Sequence, residues 1–550
     1  MSFRNRLVLL IAIIVPALAL LVGCGGNGSS VTNPVAPPSG GFSKSSLNGT
    51  YVFSVSGIDA VNGSPYAVVG TFTANGNGGI SGGTLDMNDA EFASVSPAIA
   101  PIANAAISGS STYHVGVDGR GQATLDITTP FGSNIILDFV LQNGSHGLVT
   151  EFDGNVTATG SGTLDLQSTG TTPVGSYAFS LSGGSYSSGS PYAAVGNFTI
   201  GGGGSLTGLE DVNAGGIIAY SNELLNGSLT VGPSSSPATT LSSPAFSGLF
   251  DVYAIDANHL KFIEMDQTAT LSGDAYSQTS TTMPTGTLAF VLAGVYPSSA
   301  ADPFAAGGFM VTDGAGNITN ASSEDYNEGG NVSATLGAPF SANYTAGGTG
   351  RYTLSNFATF VGGSAYAAYP SSGGVLLLEI DDSGITTGAA YLQTSGATFA
   401  ASQGYGLNFS GTTTNPTTGT SVEVDDIAEF TSNSSGATVT GVIDEDYAPT
   451  GAPTYGLALS GTYVAPVNGR GQIVANAGNS TSSTLNGGFG LIFYTVDGTT
   501  FPFIEADQSQ ISAGVFVAQN PAASAAAMAK PQMFIVPPLV RPHGAHLQRK

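Results

Sequence analysis

The sequence predicts an all-β protein of four tandem repeats, each an eight-stranded antiparallel meander that closes into a small barrel. Three observations carry this. Glycine supplies 79 of the 550 residues while only 9% are charged, a composition suited to short strands and tight turns rather than long helices. Tyr51, Phe53 and Val55 alternate with Val52, Ser54 and Ser56, and Ile135, Leu137, Phe139 and Leu141 alternate with Ile136, Asp138, Val140 and Gln142, the period of strands with unlike faces. Blocks of the same residue types recur in the same order four times, which duplication of one folding unit produces and chance does not.

The copies open with GTYVFSVSG at 49–57, GSYAFSLSG at 175–183, GTLAFVLAG at 286–294 and a decayed GYGLNFSG at 404–411. A strand, turn and strand follow, and then a block in which a tyrosine precedes an arginine: Arg120, Arg351 and Arg470, with no arginine in the second copy. The closing block is the tightest, Glu-x-Asp followed by glycine and glutamine. It reads Glu151, Asp153, Gly162, Gln167; then Glu264, Asp266, Gly273, Gln278; then Glu379, Asp381, Gly388, Gln393; and finally Glu505, Asp507, Gly514, Gln519. Boundaries fall at 45–170, 171–282, 283–397 and 398–520.

In the first copy the strands are expected at 49–57, 66–75, 79–87, 110–117, 121–128, 134–142, 147–153 and 159–167. Asn75-Gly76, Asp118-Gly119, Asp313-Gly314 and Asn468-Gly469 sit between such runs as hairpin turns. Eight sequential strands resemble the up-and-down plan of lipocalins and avidins in number and spacing, without those families' signature residues. The rival architecture is a β-propeller in which each copy supplies two four-stranded blades.

Arg4 and Arg6 precede an apolar run, Leu7 to Val22, that ends in Leu21-Val22-Gly23-Cys24. This resembles the lipobox of bacterial lipoproteins, and the resemblance implies a signal peptide at 1–23, cleavage before Cys24 and lipid on its thiol and new amino group. Cys24 is the single cysteine, which removes disulfides and cysteine metal sites. Residues 24–44 read as the lipidated cysteine and a flexible tether, and 521–550 as a basic, Pro-interrupted tail. Gly25, where lipoproteins kept at an inner membrane often carry aspartate, leans the address towards an outer membrane or cell surface. The whole chain is similar to bacterial lipoproteins with Gly-rich β repeats, a likeness that brings no activity with it.

All 36 acidic residues lie within 45–520, where the basic side chains are Arg120, Lys261, Arg351 and Arg470. Such a body repels phosphate, so nucleic acid is excluded as a partner, while cations or cationic surfaces are attracted. Acidic clusters at Glu210-Asp211, Asp425-Asp426 and Asp444-Glu445-Asp446 read as solvated surface, with hard-oxygen calcium ligation the sharper alternative. His114, His146, His259, His543 and His546 show no ligand spacing, so no metal site or cofactor is assigned.

Glu-x-Asp puts two carboxylates on one face of a strand, as glycoside hydrolysis requires. Its presence in all four copies favours structure over catalysis. The expectation is that Glu151, Glu379 and Glu505 pair with Arg120, Arg351 and Arg470 of their own copies, with Glu264 satisfied differently or exposed, and Lys261 on the opposite face of its strand. The leading functional expectation is a non-enzymatic, lipid-anchored surface protein whose modules serve as stalk, adhesive or binding units for an external ligand or surface. A binder of small apolar molecules, one per hollow barrel, and a carbohydrate-active enzyme are the alternatives.

Overall fold

The computed structural model describes residues 40–522 apart from 60–62, 94–97, 130–131, 153–157, 169–172, 187–188, 231–237, 243–246, 297–301, 334–336, 358–363, 415–420, 448–452, 481–487 and 509. Cys24, Asp153, His543, His546 and nearly all of the basic tail lie outside the described residues.

Alternating side chains give each copy one apolar face, and the strands bury it by curling into a cylinder. Strands run from Asn48 to Leu166, Gly175 to Ser277, Gly286 to Leu392 and Gly404 to Ala518, one antiparallel sheet per copy. Each sheet closes on itself because its last strand pairs with its first, as Val55 with Gly162, Leu181 with Gly273, Leu292 with Gly388 and Phe409 with Gly514. That seam is a barrel seam. The propeller alternative, which splits each copy into two separate blades, is not what forms.

The fourth stave departs from expectation. It is one strand in the second and fourth barrels, Ile217–Leu229 and Thr454–Val467, but two pieces in the first, Ile102–Ile107 and Thr112–Val115, and in the third, Asn331–Val332 and Ala338–Gly348. In the first barrel the two pieces share one edge of the strand Arg120–Thr129. The expected strand at 110–117 is therefore half of a stave whose other half, IANAAI, has too few β-branched or aromatic residues to stand out. Asn104 within it takes φ 55.

Two local features explain the repeated glycines. At Asn468-Gly469 both residues take positive φ, 53 and 87, which a type I′ hairpin demands. At the seam the closing glycine faces the opening strand's backbone: a Cβ on Gly162 would stand 1.7 Å from the Ser54 carbonyl oxygen, and on Gly273 2.0 Å from that of Ser180. Only glycine permits that approach.

The interiors are filled. Phe53, Phe72, Leu125 and Phe139 pack in the first barrel, Phe179, Phe198, Phe250 and Phe262 in the second, and Phe290, Phe340 and Phe357 in the third. In the fourth, Phe399 stacks on Tyr405 with ring centroids 4.6 Å apart and Phe501 on Phe516 at 4.8 Å. A second apolar layer lies on the outer walls, where Val195, Val291, Leu378 and Ile492 of neighbouring barrels are buried together.

Candidate functional site

The repeat signature converges on the contacts between barrels. Each closing glutamine reaches into the next copy: Gln167 Nε2 donates to the Ala254 carbonyl at 2.7 Å, Gln278 to Pro370 at 2.9 Å, Gln393 to Thr495 at 2.8 Å, and Gln519 to Asp118 at 2.8 Å. At three junctions the following amide does the same, Ser168 N donating to Ile255 O, Thr394 N to Val496 O and Asn520 N to Gln142 O, whereas between the second and third barrels the bond runs the other way, from Ser372 N to Ser277 O. The last member of each series returns from the fourth barrel to the first. The four barrels therefore close into a ring with the same junction used four times.

Carboxylates complete the junctions. Asp86, Asp211, Asp325 and Asp444 occupy one repeat position on the outer wall, at matching register with Val69, Val195, Gly307 and Ile427. Arg351 holds Asp211 with Nη2 at 2.6 Å and Nε at 2.8 Å, and Arg470 holds Asp325 at 2.9 and 2.8 Å. Tyr369 and Tyr494 add hydroxyls to the same two carboxylates. Arg120 reaches Asp444 at 3.2 Å and its own Asp118 at 3.0 Å. In the arginine-free second copy, Tyr253 Oη donates to Asp86 at 2.6 Å instead. Two residues on, Asn88, Asn213 and Asn327 donate to backbone carbonyls of Glu264, Gly384 and Asp507 in the next barrel.

These contacts correct the expected pairing of each arginine with the glutamate of its own copy. Arg351 is three residues from inward-facing Leu354, and Arg470 and Arg120 three from Ile473 and Ala123, so strand parity puts every arginine on the outer wall. Glu151, Glu379 and Glu505 share parity with Val149, Leu377 and Phe503 and face the core. The sheet stands between them. Glu264 follows the same rule with Phe262 and is buried, while Lys261, on the opposite face, pairs with Asp274 at 3.0 Å and lies 3.9 Å from Asp165 of the first barrel.

The paired signature acids divide their work. Asp266, Asp381 and Asp507 tie the last hairpins together by accepting backbone amides, Asp266 from Thr268 and Leu249, Asp381 from Ser383 and Ala365, Asp507 from Gln510 and Gly490. The glutamates sit in the barrel interiors. Burial pushes Glu264 and Glu505 well above the usual carboxylate range and Glu379 up to about 7, against opposing hydrogen bonds from Ser383 and Thr386. Glu151 accepts the Tyr66 hydroxyl at 3.3 Å.

The acidic clusters are not the solvated surface that composition suggested. Glu210, Asp211, Asp425, Asp426, Asp444, Glu445 and Asp446 are all buried, and more than half of the 36 acidic residues are. Two histidines are likewise not isolated: His146 Nδ1 meets Asp165 at 2.6 Å, and His259 Nε2 meets Asp274 at 2.7 Å. Burial pushes Asp165 up, yet His146, Lys261 and His259 outweigh it and hold the carboxyl below its ordinary range. Beside Asp274, where the first three barrels meet, hydroxyls of Ser54, Ser161, Ser180, Ser272 and Thr387 line a cavity of about 30 Å³, room for about one water.

The fold and its junctions define an all-β protein of four eight-stranded barrels closed into a ring. No protein-family model matches the chain, and no curated protein matches it. Among solved structures it is similar to two mutants of the vaccine antigen Transferrin Binding Protein B from Haemophilus parasuis Hp5. One, a single tryptophan-to-alanine mutant, is 8% identical with a TM-score of 0.19; the other, a double mutant, is 10% identical with a TM-score of 0.17. Each comparison covers 68% of this chain and 83% of the other. Similarity at that level carries nothing about a ligand.

Proposed function

We propose that the chain is a lipid-anchored, non-enzymatic protein of the bacterial cell envelope, held through Cys24, whose barrels act together as one rigid binding or adhesive head. The observation that carries this is the return junction from the fourth barrel to the first through Gln519, Asn520 and Arg120. Buried ion pairs at the junctions resist opening, because removing one partner of such a pair costs about 3–5 kcal/mol. The stalk alternative, a string of independent modules, has no use for a closing contact.

The two ends of the described chain meet at that junction. A Cβ on Gly40 would lie 3.9 Å from Pro521, so the described chain starts and ends side by side. Filled interiors weigh against an apolar ligand in each barrel, which needs a hollow centre. The Glu-x-Asp carboxylates are occupied with core and hairpin roles, which weighs against glycoside hydrolysis.

The reading is tested by expressing the full chain in a bacterial host fed labelled palmitate. Label in the protein, co-fractionation with membranes, and loss of both in Cys24→Ser are expected. Retention of Cys24→Ser on membranes would defeat the anchor, and an elongated envelope for the released protein in small-angle X-ray scattering would defeat the compact head.

A further inference from the structure

Resting on the closed-ring reading above, we propose that the junction between the fourth barrel and the first is a pH-operated clasp, shut in mild acid and opened in mild base while the other three junctions stay shut. Five buried carboxyl groups meet there, Asp118 and Asp138 from the first barrel and Glu429, Asp444 and Asp446 from the fourth. Among the described residues one guanidinium serves them, and it is divided: Arg120 Nε bonds Asp118 at 3.0 Å and Nη1 bonds Asp444 at 3.2 Å. At the next two corresponding places a guanidinium gives two nitrogens to one aspartate, Arg351 to Asp211 and Arg470 to Asp325.

The other copies show how far this junction departs from the common plan. Two residues beyond Asp86, Asp211 and Asp325 stand the asparagines that donate across their junctions, but two beyond Asp444 stands Asp446. Tyr253, Tyr369 and Tyr494 give hydroxyls to those three aspartates, whereas their counterpart in the first copy is Val140. Two residues before it, where the third and fourth copies carry Ala367 and Ile492 and the second Asp251, the first carries Asp138. Glu429 replaces Thr71, Asn197 and Phe309, and Asp118 replaces the Thr349 and Asn468 that precede the other Gly-Arg pairs. Donors and neutral side chains have thus been exchanged for acids at the one contact that closes the ring.

Carboxyl groups held out of water around a single guanidinium cannot all be ionised. Burial, and then Asp444, pushes Asp138 well above the usual carboxylate range against Gln122 and Arg120, and burial raises Asp444 in spite of Arg120. Burial, and then Asp118, raises Glu429 to about 8. Beside them Asp425 accepts the Thr159 and Ser161 hydroxyls of the first barrel, and burial raises both Asp425 and Glu423. The other titratable neighbours supply no charge to offset this: burial pushes the Tyr455 hydroxyl up and, with Lys44 and Arg120, the His114 imidazole down. The shut junction therefore binds protons that the opened, hydrated groups release. Closure is complete below the ordinary carboxylate range and is lost as pH rises towards these raised values, about 8 for Glu429. Opening uncovers Val140, Leu148 and Phe152 on one side and Ile427, Val515 and Val517 on the other.

The test uses the purified full chain, whether or not it is lipidated. Hydroxyl-radical footprinting at about pH 5.5 and about pH 8.5 compares Leu148 and Phe152, both 0% exposed at this junction, with Tyr369 and Tyr494 at the others. Labelling of the first pair relative to the second is expected to rise several-fold at the higher pH, since each proton released on opening multiplies the open population by about ten per pH unit. The radius from small-angle X-ray scattering should grow in parallel. The triple variant Asp138→Ala, Glu429→Thr, Asp446→Asn, built from residues that other copies carry, should keep Phe152 equally protected at both pH values, and Asp446→Asn alone should weaken the response. Unchanged relative labelling in the wild-type chain, a rise shared by all the junctions, or an undiminished response in both variants overturns the proposal. An envelope already elongated at about pH 5.5 would instead defeat the ring, and the clasp with it.

Discussion

A residue's wall decides its role here more than its neighbours in sequence do. Glu379 illustrates the consequence for stability. In the unfolded chain its carboxyl loses its proton near 4.5, whereas in the folded barrel burial holds the proton up to about 7. Between those values the folded state binds the additional proton, so stability falls as pH rises from about 4.5 to about 7 and is level above. Urea denaturation is expected to show this group contributing on the order of 3 kcal/mol across that window, and Glu379→Gln to remove its share. A Glu379→Gln protein with an unaltered pH slope would mean that the carboxyl is solvated. Asp89 and Glu429, raised by burial to about 7 and about 8, act in the same direction, so mild acid favours the fold.

At the scale of the element, the seam between first and last strands is the weakest place to alter. Gly273 opposes Leu181, and a Cβ there would stand 2.0 Å from the Ser180 carbonyl oxygen and 3.0 Å from Leu181 Cα. Backbone cannot retreat as a flexible side chain can. Gly273→Val is expected to open the second barrel's seam, costing at least about 3 kcal/mol by denaturation, with faster amide exchange confined first to Gly175–Ser185 and Ala269–Ser277. A substitution tolerated within about 0.5 kcal/mol would show that the seam flexes. Exposed glycines such as Gly202, with nothing within 4 Å of a built Cβ, should accept alanine freely and serve as the comparison.

For the whole molecule, ring closure predicts that connectivity matters less than completeness. Joining residue 522 to residue 40 and opening the chain between 170 and 171 keeps every junction, because the joined ends already adjoin at Gly40 and Pro521. That permutant is expected to fold with a melting temperature within a few degrees of the parent. Removing the fourth repeat instead strips Asp444 from Arg120 and uncovers Val140, Leu148 and Phe152, which pack against Ile427, Val515 and Val517. The truncated chain is expected to aggregate. A stable monomer from residues 40–397, together with a permutant that fails to fold, would show that the return junction contributes nothing.

The sequence by itself determined the all-β class, the four copies and, in the first copy, every stave but the fourth, because period-two burial and turn chemistry are local in the chain. It also displayed the signature residues: the arginines, the closing glutamines and the Glu-x-Asp pairs were all visible as repetition. What it left undecided was the partner of each. Arg351 lies 28 residues from Glu379 and 140 from Asp211, and a reading confined to one copy chooses the nearer acid. Only the tertiary structure decided that the wall of a barrel separates the former pair, that a neighbouring copy supplies the latter, and that the acids are interior. Those outcomes depend on which outer faces meet when four cylinders close a ring, a long-range geometry that no spacing within a repeat encodes.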